Sequence, residues 1–184
     1  AQTNTNDSTI KTYLDNWYKT NISGTENEQY LADNIFCNDR SFAYYNSGTG
    51  AGVSETYYNW NNWHASKSNL KCPQQNDAFT VSDTTNGNGA LTYPIGLITD
   101  EEVVLAGGWN AANNGYYLYS GSWYWTSSPS GFYSYGAVAL GVDLNGLADY
   151  GYNIYNIGGV RPVLNLSLDV LQNGDGTMNN PYQP

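Results

Sequence analysis

Ile10, Leu14, Trp17 and Tyr18 recur at close to the i, i+4, i+7, i+8 spacing that puts apolar side chains on one helix face. Asp7-Ser8-Thr9 precedes them with cap-forming oxygens, and Ser23-Gly24 follows, so the spacing predicts a helix ending by about Asn21. Thr25-Glu26-Asn27-Glu28 has the order of a capping box and predicts a second short helix through about Ala32. Ile35-Phe36-Cys37 is a short strand candidate. From Ser41 to Asn69 periodicity is lost. Gly48, Gly50 and Gly52, with the rings of Tyr57, Tyr58, Trp60 and Trp63, predict a long surface loop folded over by its own aromatics.

Phe79-Thr80-Val81 is strand-like, and Asn86-Gly87-Asn88-Gly89 is a turn. The sharpest local signal starts at Thr99. That residue caps, Glu102 answers three positions on, Asp100 and Glu101 fill the first turn, and Gly107-Gly108 ends the helix. Beyond it the period changes from helix to strand. Tyr116 to Thr126 is dense in Tyr and Trp; Ala137 to Asp143 alternates, with Val138, Leu140 and Val142 on one face. Asn145-Gly146 turns the chain back through Tyr150, Tyr152 and Ile154. Gly159 to Leu166 predicts a last strand, with Pro162 tolerated at an edge or bulge. Helices early and antiparallel strands late give an α+β class: short helices in the N-terminal half and a twisted antiparallel sheet in the C-terminal half. No linker divides the 184 residues, which fit one domain, with 1–8 flexible and 173–184 a C-terminal tail.

Charge narrows the function. Sixteen acids against six Lys and Arg leave a formal net charge of −10, which repels nucleic acid and anionic lipid. Neither a nucleic-acid partner nor membrane insertion is expected, and no apolar run reaches the roughly 18–20 residues of a spanning helix. Few charges and many Tyr, Asn, Ser and Gly give a neutral-polar, aromatic surface. That composition, with a start at Ala1 instead of Met, reads as an exported chain lacking its targeting segment, and so an extracellular, cell-surface location. Cys37 and Cys72 can form one disulfide, contributing about 3–4 kcal/mol by loop entropy. Two reduced, partly buried thiols are the alternative; the exported character favours the bond.

Enzymatic candidates are thin. His64 is the sole histidine, so no His-based metal cluster can form, and a Ser-His-Asp or Cys-His site would rest on it alone. Asp100, Glu101 and Glu102 resemble a carboxylate pair for glycoside chemistry, but a first helical turn explains them. Gly48-Thr49-Gly50-Ala51-Gly52 lacks the Lys-Ser/Thr of a phosphate loop. The oxygen-rich turns at Asp83 to Asn88, Asp143 to Asn145 and Asn173 to Asp175 do not match a calcium loop and are ordinary turn chemistry. No metal or cofactor is expected. Arg161, flanked by apolar residues, is read as an ion-pair or carbonyl contact.

The informative stretch runs from Trp109 to Asn156. It is rich in Trp, Tyr, Asn, Ser and Gly, with no Lys, Arg or Glu. This alphabet suits recognition: stiff amphipathic rings give contact area at small entropy cost, and short polar groups adapt. Some rings must build the core instead. The candidate binding residues are Trp109, Asn110, Asn113, Tyr119, Trp123, Phe132, Tyr133, Tyr135, Asp149, Tyr150, Tyr152, Asn153, Tyr155 and Asn156.

Gly96-Leu97-Ile98-Thr99 through Gly108, Tyr119 through Pro129, and Gly159-Val160-Arg161-Pro162-Val163, with Phe36-Cys37-Asn38-Asp39-Arg40 upstream, are the motifs of a resemblance. The chain resembles, from about Thr9 onward, a family of Firmicutes surface and pilin-like proteins. Their C-terminal module is C-type-lectin-like, in the branch related to formylglycine-generating enzymes. The resemblance implies a ligand-facing part between the Trp-Thr-Ser-Ser-Pro and Gly-Val-Arg-Pro segments. It also implies a likeness to the variable proteins of diversity-generating retroelements, in which Asn-type codons of such a segment are rewritten. The lectin calcium signatures are absent, since Trp109-Asn110-Ala111 stops short of Trp-Asn-Asp, so calcium-dependent sugar binding does not carry over. The late cysteine pair of the formylglycine-generating enzymes is absent too, and their activity with it.

The expectation is a non-enzymatic display module for an unknown protein or glycan ligand on another cell or host surface, with a variable face at about 109–157. One alternative is a structural pilin-type subunit that self-assembles through its aromatic face. Another is a hydrolase using carboxylates such as Asp143 or Asp149.

Overall fold

The computed structural model describes residues 5–42, 56–57, 70–109, 111–148, 150–171, 173–175, 177 and 179–182. Ser8 starts helix α1 (Thr9–Asn21): its hydroxyl accepts from Lys11 N–H at 3.1 Å. The predicted apolar stripe then turns inward. Leu14 and Tyr18 are buried with Ile95, and Tyr93 stacks on Tyr18 at 4.8 Å between ring centroids. Burial raises the Tyr18 hydroxyl pKa, and the Glu28 carboxylate beside it adds to the effect.

The second predicted helix is a 3-10 turn, Glu26–Tyr30, and its capping box does not form. Glu28 is drawn elsewhere. Its carboxylate accepts from Gly24 N–H at 2.8 Å and from the Tyr18 hydroxyl at 3.4 Å, while the Thr25 hydroxyl donates to Ile22 O at 2.7 Å. Next, β1 (Phe36–Cys37) pairs antiparallel with β3 (Ala78–Phe79). The strand expected at Phe79 to Val81 thus sits a residue or two earlier. Between them, β2 (Thr56–Tyr57) lies inside the segment expected to be irregular loop; the remainder of that aromatic cluster lies outside the described residues.

Cys37 and Cys72 form a disulfide, with Cα atoms 5.6 Å apart. Beside it the fully buried Asp77 pairs with Arg40, whose Nε donates to it at 2.7 Å and whose backbone N–H donates at 3.0 Å. Helix α2 (Asp100–Leu105) begins as predicted. Thr99 and Glu102 exchange cap bonds in both directions, and Gly107 turns the chain out at φ +108°.

A four-stranded sheet has the order β2-β4-β5-β6, with β4 at Tyr124–Tyr133, β5 at Gly136–Val142 and β6 at Tyr150–Asn153. All its pairings are antiparallel. Together with the helices this makes a mixed α+β architecture. Val138, Leu140 and Val142 are buried, as their alternation requires. On that inner face Val103 of α2 packs with Tyr116, Tyr124, Val142 and Ala148. Pro129 sits where the β4–β5 register shifts, the place where a missing N–H is tolerated.

Two strand expectations fail. The run from Tyr116 enters β4 only at Tyr124, because Tyr116 points into the core and Gly121 takes φ +66°. The segment from Gly159 to Leu166 forms no ladder. It pairs singly with three partners: Gly159 with Tyr124, Val163 with Gly96, and Leu166 with Leu31. Pro162 cannot donate to a continuous ladder, so the segment stitches the sheet, the approach to α2 and the region after α1 together.

Candidate functional site

The sheet's outer face is built by side chains of opposite parity to the core set. Gly141 pairs with Trp125 on one side, and Ala139 of the same parity pairs with Tyr152 on the other. Gly141 has no side chain there because a Cβ would meet Tyr124 O at 2.8 Å and the Tyr152 ring at 3.3 Å. Trp123 completes an edge-to-face cluster, 4.7 Å from Trp125 and 4.5 Å from Tyr152, arrangements that add about 0.5–1.5 kcal/mol each beyond area burial.

After β6 the chain crosses this face. Ile154 N–H donates to Ala137 O at 3.2 Å, and five residues later Gly159 bonds β4 through Trp123 O and Trp125 N–H. The crossing segment lies on the Trp123 ring and leaves an open groove of about 670 Å³. Trp123 and Tyr152 supply its aromatic wall. Asp143, Leu144 and Asn145 come from the β5–β6 turn, and Tyr155, Asn156 and Ile157 from the crossing segment. The rims are apolar and open to solvent: Ile157 is 99% exposed, Tyr155 73% and Leu144 61%. Trp123 Nε1 and Asn153 Oδ1 are buried without a hydrogen-bond partner among the described residues. Such groups are costly and are sparse in folded proteins.

The turn that carries Asp143 is locally determined. Asp143 Oδ1 accepts from Asn145 N–H at 2.7 Å and Leu147 N–H at 2.9 Å, and Gly146 takes φ +79°. Behind the sheet, Arg161 lies over the Tyr124 ring at 4.7 Å and donates to Leu118 O at 2.7 Å. Burial raises the Tyr124 hydroxyl pKa, with Arg161 opposing, and burial moves Tyr116 well above the ordinary tyrosine value.

The structure thus gathers Trp123, Tyr152, Tyr155 and Asn156 of the candidate set. It brings Asp143, Leu144, Asn145 and Ile157 to them, which the aromatic alphabet did not single out. Tyr133 and Tyr135 stack on each other at 5.1 Å at the β4–β5 hairpin, and Tyr135 is exposed. Phe132 lies in the same hairpin, opposite Thr56 and Ala137. Asn113 holds a loop, donating to Gly107 O at 2.9 Å and accepting from Gly115 N–H at 3.0 Å. Tyr119 packs on the inner core, its hydroxyl 3.4 Å from Leu144 O. Trp109 is half exposed in the loop paired with Leu147. Asn110, Asp149 and the Tyr150 side chain lie outside the described residues.

Sequence reasoning gave no sign of a second groove of about 630 Å³ between α1 and the β1–β3 pair. Its lining comes from segments far apart in sequence, and it includes the core residues Leu14 and Ile95 with Thr5 to Ser8 alongside. It is a seam of the core more than an outward face. Among the described residues no three His, Cys, Asp or Glu gather to hold a metal, and no helix is long and apolar enough to cross a membrane. No family model, curated protein or solved structure matches the chain.

Proposed function

We propose that this chain is a non-enzymatic binding module of C-type-lectin-like type, displayed on a bacterial surface or pilus, with the outer-face groove as its ligand site. The observation that carries this reading is the exposed Tyr155 and Ile157 rim, set over three interlocked rings on a hydrogen-bonded sheet. Rigid aromatic anchors beside adaptable Asn and Asp groups are what an interface needs to bind without a large ordering cost. The groove also falls in the size range of small-ligand sites.

The variable-face reading gains a physical outline. Leu144, Asn145, Tyr155, Asn156 and Ile157 line the groove from connecting segments and can change without touching the ladder. The test is an array of host and bacterial surface proteins and glycans probed with the wild type and with a Tyr155→Ala/Ile157→Ser double variant of unchanged melting temperature. Hits that vanish with the variant support the reading, and hits that persist refute it. Concentration-dependent assembly in sedimentation with no hit in the array would favour the self-assembling subunit.

A further inference from the structure

Resting on the groove as ligand face, we propose that its occupant is an arginine side chain presented by a partner protein segment. Trp123, Tyr152 and Tyr155 offer ring surface, and Asp143 stands at the same groove. Its Oδ1 is taken by two backbone N–H groups, whereas among the described residues Oδ2 meets a 3.4 Å contact from Asn145 Nδ2 and keeps acceptor capacity. Among the described lining residues there is no Lys or Arg to compete for that carboxylate, and the sequence holds none between Trp109 and Asn156.

Charge decides between ligand classes. A chain of net charge −10 steers cations in and anions away, while a neutral sugar gains nothing from that field. A planar guanidinium lies flat on a ring while its edge N–H groups donate to the Asp143 Oδ2 atom, whereas a compact ammonium has no flat face to stack. The protein's inner face already pairs these features: Arg161 lies over Tyr124 while donating to a carbonyl oxygen. The outer face has a ring wall and an acceptor with no guanidinium among its lining residues.

The experiment is a ¹H–¹⁵N titration of the full chain with acetyl-Gly-Arg-Gly-Arg-Gly-amide, its citrulline twin and methyl β-glucoside. The arginine peptide is expected to shift the Trp123 indole and the 143–145 and 154–158 amides, at least tenfold more tightly than the citrulline twin and more weakly as salt is raised. Asp143→Asn keeps the Oδ1 acceptor that holds the turn and is expected to erase that preference; Tyr155→Ala is expected to weaken binding with the turn untouched. Equal response to citrulline or glucoside overturns the arginine assignment and leaves the groove as a binding face. Arginine-peptide shifts confined to other surfaces, or none, also overturn it, while the array result decides the groove separately.

Discussion

The Trp123 indole packs against Gly158, so close that a Cβ at Gly158 would fall 1.1 Å from Trp123 Cζ3. The crossing segment can seat itself on the ring only because that position carries hydrogen. Gly158→Ala must push the indole off Trp125 and Tyr152 or lift the segment, and overpacking of this kind costs about 1–3 kcal/mol. Urea unfolding should show a lowered midpoint, with altered tryptophan emission in the folded baseline. An unchanged midpoint and emission would mean that the ring does not rest there.

The Thr99–Glu102 box predicts a graded result. Thr99→Ala should destabilise by about 1 kcal/mol, because the Glu102 N–H loses its cap. Thr99→Ser should be close to neutral, since it keeps the oxygen. Thermal melts of the two variants check the order.

Asp33 predicts acid sensitivity. Its carboxylate accepts from Val81 N–H and Ser82 N–H, both at 2.7 Å, and from the Ser82 hydroxyl at 3.0 Å. Burial pushes its pKa up, but these bonds, with one from Asp83 N–H, outweigh burial and hold it below the usual carboxylate value. The stabilisation is therefore full above the unfolded value of about 3.9 and is lost as pH falls through the lower folded value. Asp33→Asn should flatten the stability profile between about pH 5 and the acid limit, with the largest deficit at neutral pH. Parallel profiles for the two proteins would contradict this.

Joining Cys37 to Cys72 closes a loop with a sequence separation of 35, for which loop entropy gives roughly 3–4 kcal/mol. A Cys37→Ser/Cys72→Ser protein should unfold at correspondingly lower urea, and reduction of the wild type should reproduce most of that loss.

The parts of this fold legible in the sequence are those fixed by neighbours along the chain. The cap at Ser8, the box at Thr99, the alternation of Val138, Leu140 and Val142, and the Asn145-Gly146 turn are all decided within a few residues. What was not legible depends on distant partners. The box at Thr25 fails because the Glu28 carboxylate is shared between Gly24 N–H and the Tyr18 hydroxyl one helix back, while the Thr25 hydroxyl turns to Ile22 O. The Gly159 to Leu166 segment reads as a strand but is divided among three partners. At the site, the aromatic alphabet marks Trp123, Tyr152 and Tyr155, yet it cannot separate them from Tyr116, Tyr124 and Trp125, which are buried. Sheet parity separates Tyr124 and the turns before β4 separate Tyr116, while Trp125 shares the outer face and is buried against Trp123 and Tyr152. Ile157 escaped notice because one isoleucine in a polar loop carries no pattern.

Hydrogen exchange on a complex tests the central claim most directly. With the best array ligand bound, protection should rise at 143–147 and 154–159 and stay unchanged along α1 and the β1–β3 pair. Protection concentrated at the α1 groove, with the crossing segment exchanging as in the free protein, would contradict the outer-face account.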